Sequence, residues 1–267
     1  MSALLEVDGL RVSFGLLRAV DGVSFHVARG EIVGLVGESG SGKSTMGRAI
    51  LRLENIESGQ VLFDGQDVQS LRGEALRRFR RRAQMIFQDP FSSLNPRIRI
   101  GDALEEPLHV HNIVPREARR ARAGELLDLV GMEAGHLDRY PHEFSGGQRQ
   151  RIVIARAMAV QPDLIIADEP VSALDVSVQA QVLALLKELQ RRTGCAYLFV
   201  AHDLAVVRNL CDRVLVMQQG RIVEAGRIAD VYDRPQHPYT RALLAAVPDI
   251  EGGLEARRGV ATPNVQR

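Results

Sequence analysis

Cysteine is scarce in this chain of 267 residues: Cys195 and Cys211 are the only two. They make no disulfide framework, their spacing is not that of a metal site, and they suit a reducing compartment. Long apolar runs are missing as well. No stretch approaches the ~18 residues of a membrane span, and the longest candidates, 32–36 and 164–167, are strand-sized. The first residues lack a basic segment followed by an apolar one, so no signal peptide is expected. Excess charge of either sign is absent. The 34 basic and 33 acidic residues leave a formal charge of +1, which gives no reason to expect nucleic-acid binding. There is no internal repeat and no low-complexity tract. Lysine is the most pointed scarcity: Lys43 and Lys187 stand alone, and the other 32 of the 34 basic residues are arginine.

What is present is ordinary globular material, 45% hydrophobic and 25% charged, which argues against global disorder. At ~150 residues per domain the length predicts one large domain with a smaller one inserted or appended. Val7, Leu10, Val12 and Phe14 roughly alternate and Val23, Phe25 and Val27 alternate strictly, so the first 35 residues read as β structure. The run 32–36 has the pattern of a strand buried on both faces. A glycine-rich turn and a helix over 43–54 follow, then a strand at 60–63 closed by Asp64-Gly65, a basic helix over 71–82, and a strand at 83–87. From 90 to 161 the composition turns helical, with Pro115 suited to a first helical position and Gly131 as a stop. The α/β rhythm then resumes: strands at 164–167 and 196–200, a helix over 176–192, a hairpin around 218–220, and short helices near 203–211, 227–233 and 239–246. Residues 255–267 read as a frayed tail. The expected division is an α/β core at 1–89 and 162–234, a helical subdomain at 90–161, and a C-terminal extension at 235–267.

Residues Gly37, Glu38, Ser39, Gly40, Ser41, Gly42, Lys43 and Ser44 match the phosphate-binding pattern G-x-x-x-x-G-K-[ST], between a buried strand and a helix. Glycines let backbone N–H groups converge on phosphates, and the helix N-terminus adds partial positive charge. Chance alone yields such a match in about one chain in a thousand of this composition. A chain that writes arginine almost everywhere keeps lysine here. A compact ammonium fits a small phosphate cradle where a planar guanidinium does not. Lys43 would face the β/γ phosphates, and the Ser44 hydroxyl would reach Mg²⁺. The apolar run 164–167 ends in Asp168 and Glu169, at the strand end where open α/β sheets bind ligands. Asp168 would hold Mg²⁺ and Glu169 would act as general base toward water; the plainer alternative is a solvated acidic strand end before Pro170. Ser145, Gly146, Gly147 and Gln148 precede a helical run; they are a capping box or a phosphate-facing helix start.

This order of motifs resembles the ATP-binding subunit of an ABC transporter over nearly the whole chain. The resemblance implies an α/β P-loop (RecA-like) core with an antiparallel β subdomain and an inserted helical subdomain, and ATP with Mg²⁺ as substrate and cofactor. Phe14 resembles the aromatic that stacks on adenine, and residues 37–45, Thr45 included, resemble the Walker A motif. Gln88 resembles the Q-loop glutamine that serves Mg²⁺, water and signalling to membrane domains. Ser145 to Gln148 resemble the signature motif, with Phe144 where leucine is usual. Asp175 in 172–175 resembles the D-loop, and His202 the switch histidine. Taken singly, Phe14 could be core, Gln88 a polar strand end, Asp175 a helix N-cap and His202 a satisfied histidine. The family geometry is a head-to-tail pair in which Ser145 and Gly147 serve the partner's nucleotide.

Residues 88–96 and 235–244 further resemble the dipeptide/oligopeptide/nickel importers. That implies a second ATPase chain (paralogue or self), two integral permease subunits, an extracytoplasmic solute-binding protein and a peripheral place on the cytoplasmic face of the membrane. Some relatives carry a late cysteine cluster; none follows Cys211 here, so no iron–sulfur cluster is expected. The arginines of 77–82 read as a solvated helix face, near anionic headgroups rather than nucleic acid. The competing reading is an accessory subunit docking on a soluble assembly such as carbon–phosphorus lyase.

Overall fold

The computed structural model describes residues 3–246; the tail at 255–267 and the end of the 235–267 extension lie outside the described residues. In chain order the strands are β1 (Ala3–Phe14), β2 (Leu17–Ala28), β3 (Ile32–Val36), β4 (Ser58–Phe63), β5 (Gln66–Asp67), β6 (Ala83–Ile86), β7 (Leu164–Asp168), β8 (Ala196–Ala201), β9 (Arg213–Gln218) and β10 (Arg221–Arg227). The helices are α1 (Lys43–Ile50), α2 (Gly73–Arg82), α3 (Pro90–Ser93), α4 (Ile100–Val110), α5 (Arg119–Leu129), α6 (Gly146–Met158), α7 (Val176–Thr193), α8 (Leu204–Arg208), α9 (Ile228–Asp233) and α10 (Pro238–Ala245).

Two sheets carry the fold. One is antiparallel, in the order β2-β1-β4-β5. The other runs β10-β9-β3-β8-β7-β6; its neighbours pair parallel except for the β9–β10 hairpin. Strands β3, β7 and β8 are buried throughout, and the pleat sends their alternate residues into two different cores. Ile32 and Val36 of β3 join a core with Ile165, Tyr197 and Phe199, shared with the helices between β6 and β7. Val33 and Leu35 join the other core with Ile166 and Leu198, against the antiparallel sheet and Met46 of α1. A continuous apolar run is what a strand with two covered faces requires.

Three local expectations are corrected. Pro115 is not a first helical residue; it is extended (ψ 157) and precedes a short 3₁₀ turn, Arg116–Ala118. The basic helix begins at Gly73 rather than 71, because Arg72 is extended (φ −140, ψ 161) and serves as its N-cap. Its Arg82 is not merely solvated: it pairs with Asp64 at 2.7 Å and Asp163 at 2.5 Å.

Candidate functional site

The loop between β3 and α1 depends on its glycines. Gly37 (φ 155) and Gly42 (φ 103) lie in backbone conformations that side chains rarely adopt. A Cβ on Gly37 would stand 2.1 Å from the Met217 carbonyl of β9, and one on Gly42 2.1 Å from the Ala19 carbonyl of β2. Gly220 in the β9–β10 turn donates to the Ser41 carbonyl at 3.0 Å. The loop is therefore pressed between both sheets.

Lys43 is buried, and its Nζ donates to the carbonyls of Gly37 at 2.7 Å and Glu38 at 2.8 Å. Burial lowers its pKa, while the charges of Glu169, Asp168 and Glu38 work in the opposite direction. One residue on, the Ser44 hydroxyl donates to Asp168 Oδ1 at 2.7 Å. Asp168 ends β7 and is 1% exposed. Burial raises its pKa, against the hydrogen bond from Ser44 and the charge of Arg48.

Glu169 follows with φ 46, a left-handed backbone for a non-glycine residue, which costs about 1–2 kcal/mol. The bonds that hold it there are its amide to the Val200 carbonyl at 3.0 Å and its carbonyl to Ser172 Oγ at 3.1 Å. Its side chain meets two of the expected site residues. Gln88 Nε2 donates to Oε2 at 3.0 Å, and His202 Nδ1 lies 3.5 Å from the same oxygen.

Phe14 is 49% exposed, so it is not a core residue. It lines a cavity of about 550 Å³ together with Ser39, Gly40, Gly42, Lys43, Ser44, Thr45, Gln88 and Glu169. Leu17, Arg18, Gln219 and Gly220 line it too. The hairpin turn at 218–220 is legible in the sequence, but only the fold brings these residues to the loop. A second opening, a groove of about 790 Å³, lies between the helical block and the core. Exposed Leu53, Phe87 and Val110 give it an apolar lining, and Gln88 borders both spaces.

The remaining expected residues do not enter the 550 Å³ cavity. Ser145 caps α6 in a capping box: its Oγ accepts the Gln148 amide at 3.3 Å, and Gln148 Oε1 accepts the Ser145 amide at 3.0 Å. Phe144 is buried edge-on to His136. Asp175 is the N-cap of α7, accepting the Val178 amide at 3.0 Å. These two helix starts touch. A Cβ on Gly147 would meet Val178 Cγ1 at 2.4 Å, and one on Gly146 would sit 3.4 Å from Leu174. Beside them Val176 is 81% exposed.

Residues 20–172 match the family model described as ABC transporter, and residues 223–267 the one described as oligopeptide/dipeptide transporter, C-terminal region. The chain is 54% identical over 261 residues to the oligopeptide transport ATP-binding protein OppF of Streptococcus mutans, covering 96% of this chain and 85% of that one. The OppF of Bacillus subtilis is 52% identical, with 96% and 86% covered. Among solved structures, the dimeric bacterial ABC transporter cassette MJ0796 superposes with a TM-score of 0.75 at 30% identity, covering 84% of this chain and 98% of that one. The cbiO1 subunit from Clostridium perfringens gives 0.80 at 27%, covering 96% and 100%.

Proposed function

The chain belongs to the ABC transporter ATP-binding subunits, and from that membership we propose that it hydrolyses ATP to drive peptide import through partner permeases. One observation carries the ATPase reading. A glycine loop closed by a buried lysine, a Ser44–Asp168 pair, and a Glu169 carboxylate faced by Gln88 and His202 converge around one cavity. The peptide reading rests on the similarity to OppF proteins and on the match of residues 223–267.

In this reading the loop amides and Lys43 hold the phosphates of ATP, and Phe14 supplies a platform for the base. Ser44 and Asp168 present two hard oxygen donors side by side, which fits magnesium, an ion that keeps several waters and takes one carboxylate plus phosphate oxygens. When bound, magnesium neutralises charge on the phosphate oxygens. Glu169 accepts the proton of the attacking water, and Gln88 and His202 fix the carboxylate that does so.

The signature residues Ser145 and Gly147 would serve the nucleotide of a second ATPase chain. Their separation from the loop cavity and the exposed Val176 beside them support that assignment. Among the described residues no helix is long and apolar enough to cross a membrane. The chain would therefore be peripheral, at the cytoplasmic face, with its 790 Å³ groove receiving an apolar permease segment. Gln88, common to groove and cavity, would carry the signal between them.

Reconstitution with the permeases and binding protein tests this. Magnesium-dependent ATP hydrolysis stimulated by an oligopeptide, together with its uptake, is expected. Hydrolysis with no dependence on permease or peptide would overturn the transport reading, and co-purification with a soluble enzyme assembly in place of membrane proteins would favour the docking alternative.

A further inference from the structure

The phosphate loop has a tether from the far end of the chain. Tyr239, on α10, accepts the amide N–H of Glu38 on its hydroxyl at 2.9 Å. The carbonyl of the same Glu38 accepts Lys43 Nζ at 2.8 Å. Glu38 is thus held on both sides, by the loop's own lysine and by a residue about 200 positions later. Burial raises the Tyr239 pKa, so the hydroxyl stays neutral.

The start of α10 is itself anchored. Glu224 on β10 accepts the amide of Gln236 on Oε1 at 2.8 Å and the amide of His237 on Oε2 at 2.9 Å. His237 Nδ1 then caps Tyr239 N at 3.2 Å. A continuous set of hydrogen bonds runs from β10 through the segment before α10 to the loop. The tether adds to the loop's seat between the sheets, because glycines at 37, 40 and 42 have no Cβ to restrict the backbone on their own.

We propose that Tyr239 is a positioning residue for nucleotide binding: its hydroxyl fixes the Glu38 amide and so keeps the glycine loop in its phosphate-accepting shape, with Glu224 holding Tyr239 in place. The proposal rests on the reading of the loop as an ATP site. A loop released from its tether spends less time in the competent shape, and apparent affinity falls by that fraction.

The test uses the full chain assembled with its partners. Tyr239→Phe removes one oxygen and keeps the ring. It should raise the KM for ATP about 5-fold, the equivalent of about 1 kcal/mol for a neutral hydrogen bond, with kcat within about twofold. Hydrogen exchange at the Glu38 amide should quicken while the melting temperature without nucleotide falls by no more than about 2–4 °C. Glu224→Gln replaces one accepting oxygen by a donor and should raise KM about 3-fold alone, yet add nothing in the Tyr239→Phe background, because the two act through one path. A wild-type KM in Tyr239→Phe overturns the proposal, and so does a loss of kcat in step with a fall in melting temperature. Failure of the unsubstituted assembly to bind ATP would remove the functional reading itself, and that result is visible before any substitution is made.

Discussion

Gln88 and Glu169 are joined by a hydrogen bond of 3.0 Å between Nε2 and Oε2. One comes from the turn after β6 and the other from the end of β7, two parallel neighbours in the sheet. The amide has one face toward the Glu169 carboxylate and another toward the groove. Gln88→Ala should lower hydrolysis on the order of tenfold, a typical effect for a hydrogen bond to a charged group. It should lower peptide-stimulated hydrolysis further than basal hydrolysis. The check is the ratio of the two rates in proteoliposomes; an unchanged ratio would count against a signalling role.

Glu169 sits at φ 46, so its two simplest replacements should behave differently. Glu169→Gln keeps the shape and the strain and lacks the base; it should bind ATP normally and hydrolyse at least a hundredfold more slowly. Glu169→Gly should be just as inactive but relieved of about 1 kcal/mol of backbone strain, partly offset by glycine's larger unfolded-state entropy. Thermal melting of the two without nucleotide reads the difference. A glycine variant clearly less stable than the glutamine variant would show that the backbone is not strained.

Lys43→Arg should fail nearly as completely as Lys43→Ala. The ammonium is confined between two carbonyls at 2.7 and 2.8 Å, and a guanidinium is wider and planar. Nucleotide titration should show at least tenfold weaker binding for both. Wild-type affinity in Lys43→Arg would mean that charge alone suffices.

Gly42→Ala tests the loop's seat on β2. The added carbon would stand 2.1 Å from a backbone carbonyl, and the residue has φ 103. ATP binding should be lost, and the chain destabilised by 1–3 kcal/mol, the range for strain at a disallowed backbone. Gly40, with open space around its Cβ position, should tolerate alanine better, with only the strain of its positive φ to bear.

Ser145→Arg separates the two halves of the proposed shared site. Nucleotide binding by an isolated chain should barely change, since Ser145 is outside its cavity. Hydrolysis by the assembled pair should fall sharply, because an arginine would crowd the α6 start where the partner's phosphate is proposed to dock. Loss of ATP binding by the folded isolated variant would sink the trans assignment.

The sequence announced the elements whose physics is local. The run 32–36 needed both faces covered and got them; Val23, Phe25 and Val27 alternate within β2. The looser spacing of Val7 and Leu10 reflects a register shift in β1, where Gly9 takes φ 57. Helix α4 falls within the block 90–161 that reads as helical, and it carries Pro107 in its interior, where proline ordinarily breaks a helix. At the site, the loop, Asp168 and Glu169 were visible as pattern. The roles of Arg18, Gly220 and Tyr239 were not: sheet order brings the first two to the loop and α10 the third, and spacing along the chain sets none of these meetings.

That sheet order also has a consequence for biosynthesis. β3 lies between β8 and β9, so both of its hydrogen-bonding neighbours are made more than 160 residues after it. At ~5–20 residues per second, Ile32 to Val36 wait roughly 10 to 30 seconds on the ribosome without either edge paired. For that interval the chain exposes an apolar, β-prone segment. The last of the central strands to arrive closes the sheet over it, and only then does the nucleotide loop acquire the carbonyl of Met217 that shapes Gly37. A truncated nascent chain ending before β9 should accordingly be held by chaperones and unable to retain ATP.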